Sequence, residues 1–112
     1  MATAFAIEAA HIQETGHLSV ADLARATGTN ETTVRAWLRG SRSPSGARAE
    51  RLAELSSIVE RLARVMEPSY VPVWLRKPVP ALDDDKPLDM IAAGDYRRVS
   101  RVIAGLEAPG AA

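Results

Sequence analysis

The stretch LSVADLARATGTNETTVRAWLRG, residues 18–40, decides the fold of this chain. Two short helical segments lie within it, each preceded by a side chain that favours a helix N-cap and followed by a glycine. Ser19 and Asn30 are the expected caps, and Gly28 and Gly40 are the expected stops. The pattern predicts two helices joined by a tight turn.

The spacing of small and apolar residues in this stretch indicates how the two helices pack. Ala24 is small because the following helix crosses closely over it, and Gly28 supplies the left-handed backbone of the turn. Val34 and Trp37 lie three residues apart on the second helix and are predicted to bury against Leu23. The arrangement is typical of a helix-turn-helix, with a plain helical hairpin that has a solvated polar face as the alternative.

The outward-facing positions of the second helix are small polar residues and arginines, with Ala36 expected among them. Such a helix suits the major groove of DNA, where its start meets base edges and its arginines meet phosphates. The candidate DNA-binding residues are Asn30, Thr32, Thr33, Arg35, Arg39 and Arg42. Glu31 lies among them and would repel phosphate, which argues against DNA contact but not against the helix-turn-helix geometry.

Charge is balanced over the whole chain, with 14 basic and 14 acidic side chains, but it is unevenly distributed. Residues 35–51 contain five arginines and one glutamate, whereas residues 67–112 contain six basic and seven acidic side chains. A phosphate-binding surface is therefore expected in the first half. The chain has no cysteine, which excludes disulfides and thiolate metal sites.

The rest of the sequence predicts an all-α fold, because segments with helical spacing dominate and no stretch alternates apolar and polar residues for long. A first helix is expected over residues 3–14, ended by Gly16, and a long helix over residues 47–66. The long helix has an apolar stripe formed by Leu52, Leu55, Val59, Leu62 and Met66. We interpret it as a core helix that connects the two halves, with a subunit interface as the alternative.

Proline becomes frequent after the long helix. Five prolines occur in the next segment, namely Pro68, Pro72, Pro78, Pro80 and Pro87. Because proline disfavours the helical conformation of the residue before it, we expect a short helical turn at residues 73–76 and then an extended crossing through residue 81.

Two more helices are expected near the end of the chain. Pro87 is a favourable first helical residue, and Asp95 is a candidate cap for a last helix that runs to about Leu106. The sequence thus predicts a helix-turn-helix domain with its long connecting helix, residues 1–66, and a small helical domain with a flexible tail, residues 67–112.

The last helix has two different faces. The face expected to be buried is formed by Tyr96, Val99, Val102, Ile103 and Leu106. The opposite face is formed by Arg97, Arg98 and Arg101. A basic face of this kind is either simply solvated or presented to a partner.

From Trp74 onward the sequence contains, in order, Trp74-Leu75, Ala81-Leu82, Lys86-Pro87-Leu88, Gly94-Asp95 and Arg98-Val99. This order resembles the toxin-binding domain of the Xre/MbcA/ParS-type antitoxins over about residues 68–108. Residues 18–46 resemble the helix-turn-helix of Xre regulators, which precedes that domain in the family. The sequence departs from the family at residues 83–86, Asp-Asp-Asp-Lys, where members often have a glycine-containing turn.

The resemblance implies a partner and a mechanism. Members pair with RES-type toxins, which consume NAD or transfer its ADP-ribose portion, and their C-terminal part covers the toxin's NAD pocket. The helix-turn-helix in many members binds the promoter of its own operon. Carried to this chain, the candidate toxin-binding residues are Tyr96, Arg97, Arg98, Arg101, Gly105 and Ala108, with the tail, residues 104–112, near the pocket mouth.

Together these patterns predict a cytoplasmic antitoxin that forms a homodimer or a larger complex, with no cofactor and no membrane segment. The loop GSRSPSG lacks the lysine of a phosphate-binding loop, and no nucleophile arrangement or metal-ligand spacing indicates an enzyme. The alternatives are a transcriptional regulator that has no toxin partner and a structural adaptor that does not contact DNA.

Overall fold

Residues 3–108 are described in a computed structural model of the protein. This part of the chain is all-α, as predicted. Its seven α-helices are α1 (Ala4–Gly16), α2 (Val20–Thr27), α3 (Glu31–Arg39), α4 (Gly46–Val65), α5 (Val71–Arg76), α6 (Pro87–Ala92) and α7 (Tyr96–Glu107). Two short 3-10 turns, Pro68–Tyr70 and Pro80–Leu82, flank α5.

Both helices of the helix-turn-helix begin and end where the sequence predicts. Ser19 and Asp22 form a capping box at the start of α2, in which the Ser19 backbone N–H donates to the Asp22 carboxylate at 2.9 Å. At α3 the Asn30 carboxamide oxygen accepts from the backbone N–H of Thr33 at 2.8 Å. Gly28 ends α2 with a φ of 72°, a left-handed conformation that suits glycine.

The contact between α2 and α3 is apolar and closed to water. Leu23, Val34 and Trp37 are buried, which confirms the packing predicted for the helix-turn-helix. The prediction that Ala36 faces outward is wrong, because it too is buried. Helix α3 packs against α1 as well as against α2, so a second side of the helix is covered.

Helix α1 is longer than predicted, because Gly16 lies inside it rather than ending it. A Cβ atom at Gly16 would lie 2.7 Å from Cγ1 of Val59, so glycine is needed here for the close approach of α1 and α4. The helix ends at His17, whose φ of 54° lies in the left-handed region. The sequence identified the glycine but not its role.

Helix α4 lies at the centre of the molecule and contacts α1, α2, α5, α6 and α7. Its buried side chains are Leu52, Leu55, Ile58, Val59 and Leu62. They belong to one continuous apolar core that includes side chains from both halves of the chain. Four of the five predicted stripe residues are therefore internal and unavailable to a subunit interface, and the fifth, Met66, is half-buried against the same core.

The proline-rich segment is more helical than predicted. The short helical turn predicted at residues 73–76 is a six-residue helix, α5, and the extended crossing predicted through residue 81 is extended at Lys77 and Val79 but ends in the 3-10 turn Pro80–Leu82. The prolines permit this because they occupy first-turn positions, where no backbone N–H is needed. Asp83 and Asp84 then turn the chain with φ values of 56° and 63°. Val79 closes the loop, since its backbone N–H donates to the Asp85 carbonyl at 3.1 Å.

The last helix, α7, buries Val99 and Ile103, and half-buries Tyr96 and Val102, as predicted. Leu106 differs, because its side chain is 40% exposed. The final turn of α7 is held against α4 by ion pairing of Glu107 rather than by apolar packing.

The cap predicted for α7 is only partly correct. Asp95 occupies the N-cap position, but its side chain makes no capping hydrogen bond. Its carboxylate lies 3.8 Å from the Arg98 guanidinium instead. The helix therefore begins at the predicted residue without the predicted cap.

Trp37→Ala should lower the free energy of unfolding by about 3–5 kcal/mol, because it leaves a large cavity between the helices of the helix-turn-helix. Urea denaturation followed by circular dichroism measures the change. Ile7→Ala is the control, since Ile7 is 62% exposed, and it should alter the same quantity by at most about 0.5 kcal/mol. Equal unfolding free energies for wild type and Trp37→Ala would contradict the packing.

Candidate nucleic-acid and protein interfaces

The predicted DNA-binding residues lie together around α3 and the loop that follows it. Asn30, Thr32, Arg35, Arg39 and Arg42 are exposed, and Thr33 is half-buried. The Asn30 carboxamide oxygen accepts one hydrogen bond in capping α3, which leaves its two N–H groups and the second lone pair of the oxygen for other partners. The sequence thus located a single continuous polar surface.

Two arginines of the basic stretch are paired with carboxylates. Arg35 donates to Glu31 at 3.1 Å, and both side chains are about half exposed. Arg51 donates to Glu54 at 2.5 Å and is only 17% exposed. Because of these pairs, the local positive charge is smaller than the sequence count indicates.

Three arginines near α3 remain available. Arg39, Arg42 and Arg48 are exposed, and within residues 3–108 no carboxylate pairs with any of them. Of the three, only Arg48 was absent from the predicted site residues. Its place in the basic stretch 35–51, in the first turn of the long helix, was the sequence feature that could have indicated it. The fold brings this turn near α3.

An open depression of about 520 Å³ separates α3 from the start of α4. Thr33, Trp37, Arg42 and Arg48 line it, together with the loop 43–45. Ser45 is the N-cap of α4 and makes no side-chain capping hydrogen bond, so the first backbone N–H groups of this 20-residue helix lack that partner. The helix dipole and the two arginines give the depression a positive potential that suits a phosphate group.

A second arginine-rich surface lies on α7, as predicted. Arg97 and Arg101 are exposed, and no carboxylate among the described residues pairs with them. Arg98 is different, because it donates to Asp83 at 3.0 Å and lies 3.8 Å from Asp95. Two of the three predicted arginines therefore present free guanidinium groups.

The end of α7 continues this surface with small and apolar residues. Gly105, Leu106 and Ala108 are exposed, whereas Tyr96 is half-buried against the core. The predicted tail extends to residue 112, and residues 109–112 lie outside the described part of the chain. The surface available for a partner thus combines two arginines with small residues at the end of the helix.

Arg61 of α4 fixes the position of α7. It donates to the Glu107 carboxylate at 2.6 Å and to the Ser100 hydroxyl at 2.6 Å. The hydrogen bond from Arg61 lowers the pKa of Glu107, and the same bond raises the pKa of Arg61. No local sequence pattern indicates this anchor, because the two residues lie 46 positions apart.

Two further pairs join α2 to the C-terminal half. Arg25 donates from Nε and Nη2 to the two oxygens of Asp89, at 2.5 and 2.7 Å. Arg76 donates in the same two-pronged way to Asp22, with the Nε bond at 2.8 Å. The Asp22 side chain is only 8% exposed and Arg76 is 46% exposed.

The pKa of Asp22 reflects this environment. Burial raises the pKa, but hydrogen bonds from Arg76 and Ser19 outweigh burial and lower it below its ordinary value of 3.8. Asp22 is therefore a charged group at neutral pH that has its countercharge in the other half of the chain.

Signals for other functions are weak in the structure. No group of three or more acidic, histidine or cysteine side chains in residues 3–108 could hold a metal ion. None of the described helices is both long and apolar enough to span a membrane. His11 contacts Glu60 at 3.0 Å on the surface.

Comparison with known families divides the chain into two matched segments. Residues 14–55 match the helix-turn-helix family model, and residues 69–108 match the model described as the antitoxin Xre/MbcA/ParS C-terminal toxin-binding domain. The first segment contains the arginines around α3, and the second contains the arginines of α7.

Individual proteins show the same similarity. The mycobacterial cidal antitoxin MbcA of Mycobacterium tuberculosis and that of Mycobacterium bovis are each 32% identical to the chain over 71 residues. The alignment spans 63% of this chain and 63% of either relative. In the crystal structure of the M. tuberculosis MbcT–MbcA toxin–antitoxin complex, one chain is 25% identical and superposes with a TM-score of 0.82. That superposition covers 93% of this chain and 94% of the other.

Asp22→Asn should remove a pH-dependent part of the stability. Because the folded-state pKa of Asp22 is lowered, its contribution is fully present above about pH 4 and is lost as the pH falls through the folded-state pKa. At neutral pH the variant should lose about 1–3 kcal/mol of unfolding free energy. Below about pH 4 the difference in unfolding free energy between the variant and wild type should become smaller.

Urea denaturation at several pH values measures this difference. Asp84→Asn is the matched control, because Asp84 is exposed and asparagine tolerates its left-handed backbone. The control should match wild type at every pH. A difference between Asp22→Asn and wild type that stays constant with pH would contradict the charged role of Asp22.

Proposed function

We propose that this chain, which carries a helix-turn-helix segment and the C-terminal toxin-binding domain of the Xre/MbcA/ParS antitoxins, is the antitoxin of a type II toxin–antitoxin pair that acts in the cytoplasm. The observation that carries the proposal is the match of residues 69–108 to the toxin-binding domain, in a chain that superposes over 93% of its length on one chain of a solved toxin–antitoxin complex. Its partner is a RES-type toxin that acts on NAD.

The toxin-binding surface is the exposed side of α7 and the helix end that follows it. Arg97 and Arg101 supply two guanidinium groups that can pair in a two-pronged way with carboxylates of the toxin. Gly105 and Ala108 lie on the same side of the helix and add uncharged surface that fits against a cleft. Bound in this way, the chain blocks access of NAD to the toxin's pocket.

Arg98 can join the same surface when the toxin binds. Its partner Asp83 is 87% exposed, so water already competes strongly for the pair and little free energy is lost when it breaks. A toxin carboxylate can therefore replace Asp83. Tyr96 lies at the buried side of the same turn and supports the backbone of this surface.

Arg97→Ala combined with Arg101→Ala should abolish protection against the toxin. Loss of desolvated guanidinium–carboxylate pairs at an interface costs about 2–5 kcal/mol each. The assay is bacterial growth during co-expression with the toxin encoded beside this gene, with cellular NAD measured in parallel. Full protection by the double variant would place the toxin on another surface.

The matched control is Arg39→Ala combined with Arg42→Ala, which also removes two exposed arginines that have no described carboxylate partner. This variant should protect as well as wild type. Equal loss of protection in both double variants would indicate a general effect of charge rather than a surface on α7.

We propose further that the helix-turn-helix binds the promoter of its own operon. The start of α3 would meet base edges with Thr32 and Arg35, and Arg39, Arg42 and Arg48 would meet phosphates. One helix-turn-helix contacts a short half-site, so a homodimer or a larger complex would read two half-sites about 34 Å apart.

Arg39→Ala combined with Arg42→Ala should weaken promoter binding and lower the slope of log affinity against log salt by about two, one for each phosphate contact. Fluorescence anisotropy with a labelled promoter duplex across a salt series measures both quantities. Arg97→Ala combined with Arg101→Ala is the control and should keep the wild-type slope. Equal affinity of the wild-type protein for promoter and random duplex would overturn the promoter proposal.

A further inference from the structure

Two residues of α2, one helical turn apart, form ion pairs with side chains of the C-terminal half. Asp22 accepts from Arg76 of α5, and Arg25 donates to Asp89 of α6. The two positions lie three residues apart and therefore on one face of α2. In one pair the carboxylate belongs to α2, and in the other the guanidinium does.

Two-pronged pairs restrain orientation as well as distance, because both oxygens and two nitrogens are fixed in one plane. Two such pairs on one face of a helix restrain both the rotation of the helix about its own axis and its sliding along that axis. The helix α2 also packs against α6 on this side and against α3 on another. Because α3 packs against α2 as well as against α1, groups in the C-terminal half contribute to the orientation of α3 through α2.

Stability alone does not explain the Arg25–Asp89 pair. Its side chains are 41% and 49% exposed, and exposed ion pairs contribute little to folding because water screens them. The pair nevertheless holds both hydrogen bonds, at 2.5 and 2.7 Å. An orienting role accounts for a well-formed pair at an exposed position.

We infer that Arg76 and Asp89 are positioning residues for DNA recognition, which hold α2, and through it α3, in the orientation that promoter binding requires. The inference rests on the promoter binding proposed above. It assigns to two side chains of the toxin-binding domain a role in reading DNA.

The sign of the effect at Asp89 provides the test. Asp89→Asn removes a negative charge and frees Arg25, so electrostatic attraction alone would tighten DNA binding. If Asp89 positions α2, the variant binds the promoter about fivefold more weakly, a typical size for coupling between sites. Binding to random duplex should not weaken, because phosphate contacts are less sensitive to the orientation of α3.

Asp84→Asn is the matched control, because it makes the same charge change at an exposed carboxylate that has no ion pair among the described residues. It should bind the promoter at least as tightly as wild type. Asp89→Glu keeps the charge and should restore most of the affinity. Fluorescence anisotropy at one fixed salt concentration measures all four proteins.

Arg76→Gln distinguishes positioning from a direct phosphate contact. A contact residue lowers the salt slope by about one when it is removed, whereas a positioning residue weakens specific binding with the slope unchanged. Arg64→Gln removes an exposed arginine of α4 as the control for charge. Hydrogen exchange of the α2 backbone amides should be faster in Asp89→Asn and in Arg76→Gln than in either control.

The outcomes separate the two proposals. If the wild-type chain prefers its promoter and Asp89→Asn binds as tightly as Asp84→Asn, the positioning role is wrong and promoter binding stands. If Arg76→Gln lowers the slope of log affinity against log salt by about one, Arg76 contacts a phosphate directly. That result would also contradict the inference. If the wild-type chain shows no preference for the promoter, the proposed promoter binding and this inference both fail, and the proposed toxin binding is unaffected.

Discussion

The burial of one face of α4 is the constraint on which the rest of the structure depends. Its five buried side chains each stabilise the fold by about 1.5–3 kcal/mol when removed from water. They contact α1 and α2 in the first half and α7 in the second, so both halves are completed by the same helix. Neither half keeps its full core without α4, and the two candidate interfaces are held in a fixed relation to each other.

Features that depend on residues close together in the sequence were predictable. The cap at Asn30, the turn at Gly28 and the buried Trp37 follow from preferences that act within one or two helical turns. For the same reason the arginines of α7 could be placed on its exposed side before any tertiary contact was known. The bounds of the helices followed within a few residues.

Features that depend on distant residues were not predictable. Asp22 looks like a simple capping residue until the fold brings Arg76, 54 positions away, against it. Gly16 has the sequence appearance of a helix stop, and only the proximity of Val59 shows why glycine is there. Arg98 belongs to the arginine face by spacing, yet the left-handed turn at Asp83 gives it an internal partner. Each case depends on tertiary contacts that no local preference specifies.

The shared core also bears on how such a protein is removed from the cell. A protease that acts on the unfolded chain depends on the population of that state, and a domain of this size unfolds as one cooperative unit. Since α4 completes both halves, a single opening event unfolds both candidate interfaces together. One round of degradation would therefore remove both candidate interfaces at the same time, and a single lifetime would govern the two activities proposed for them.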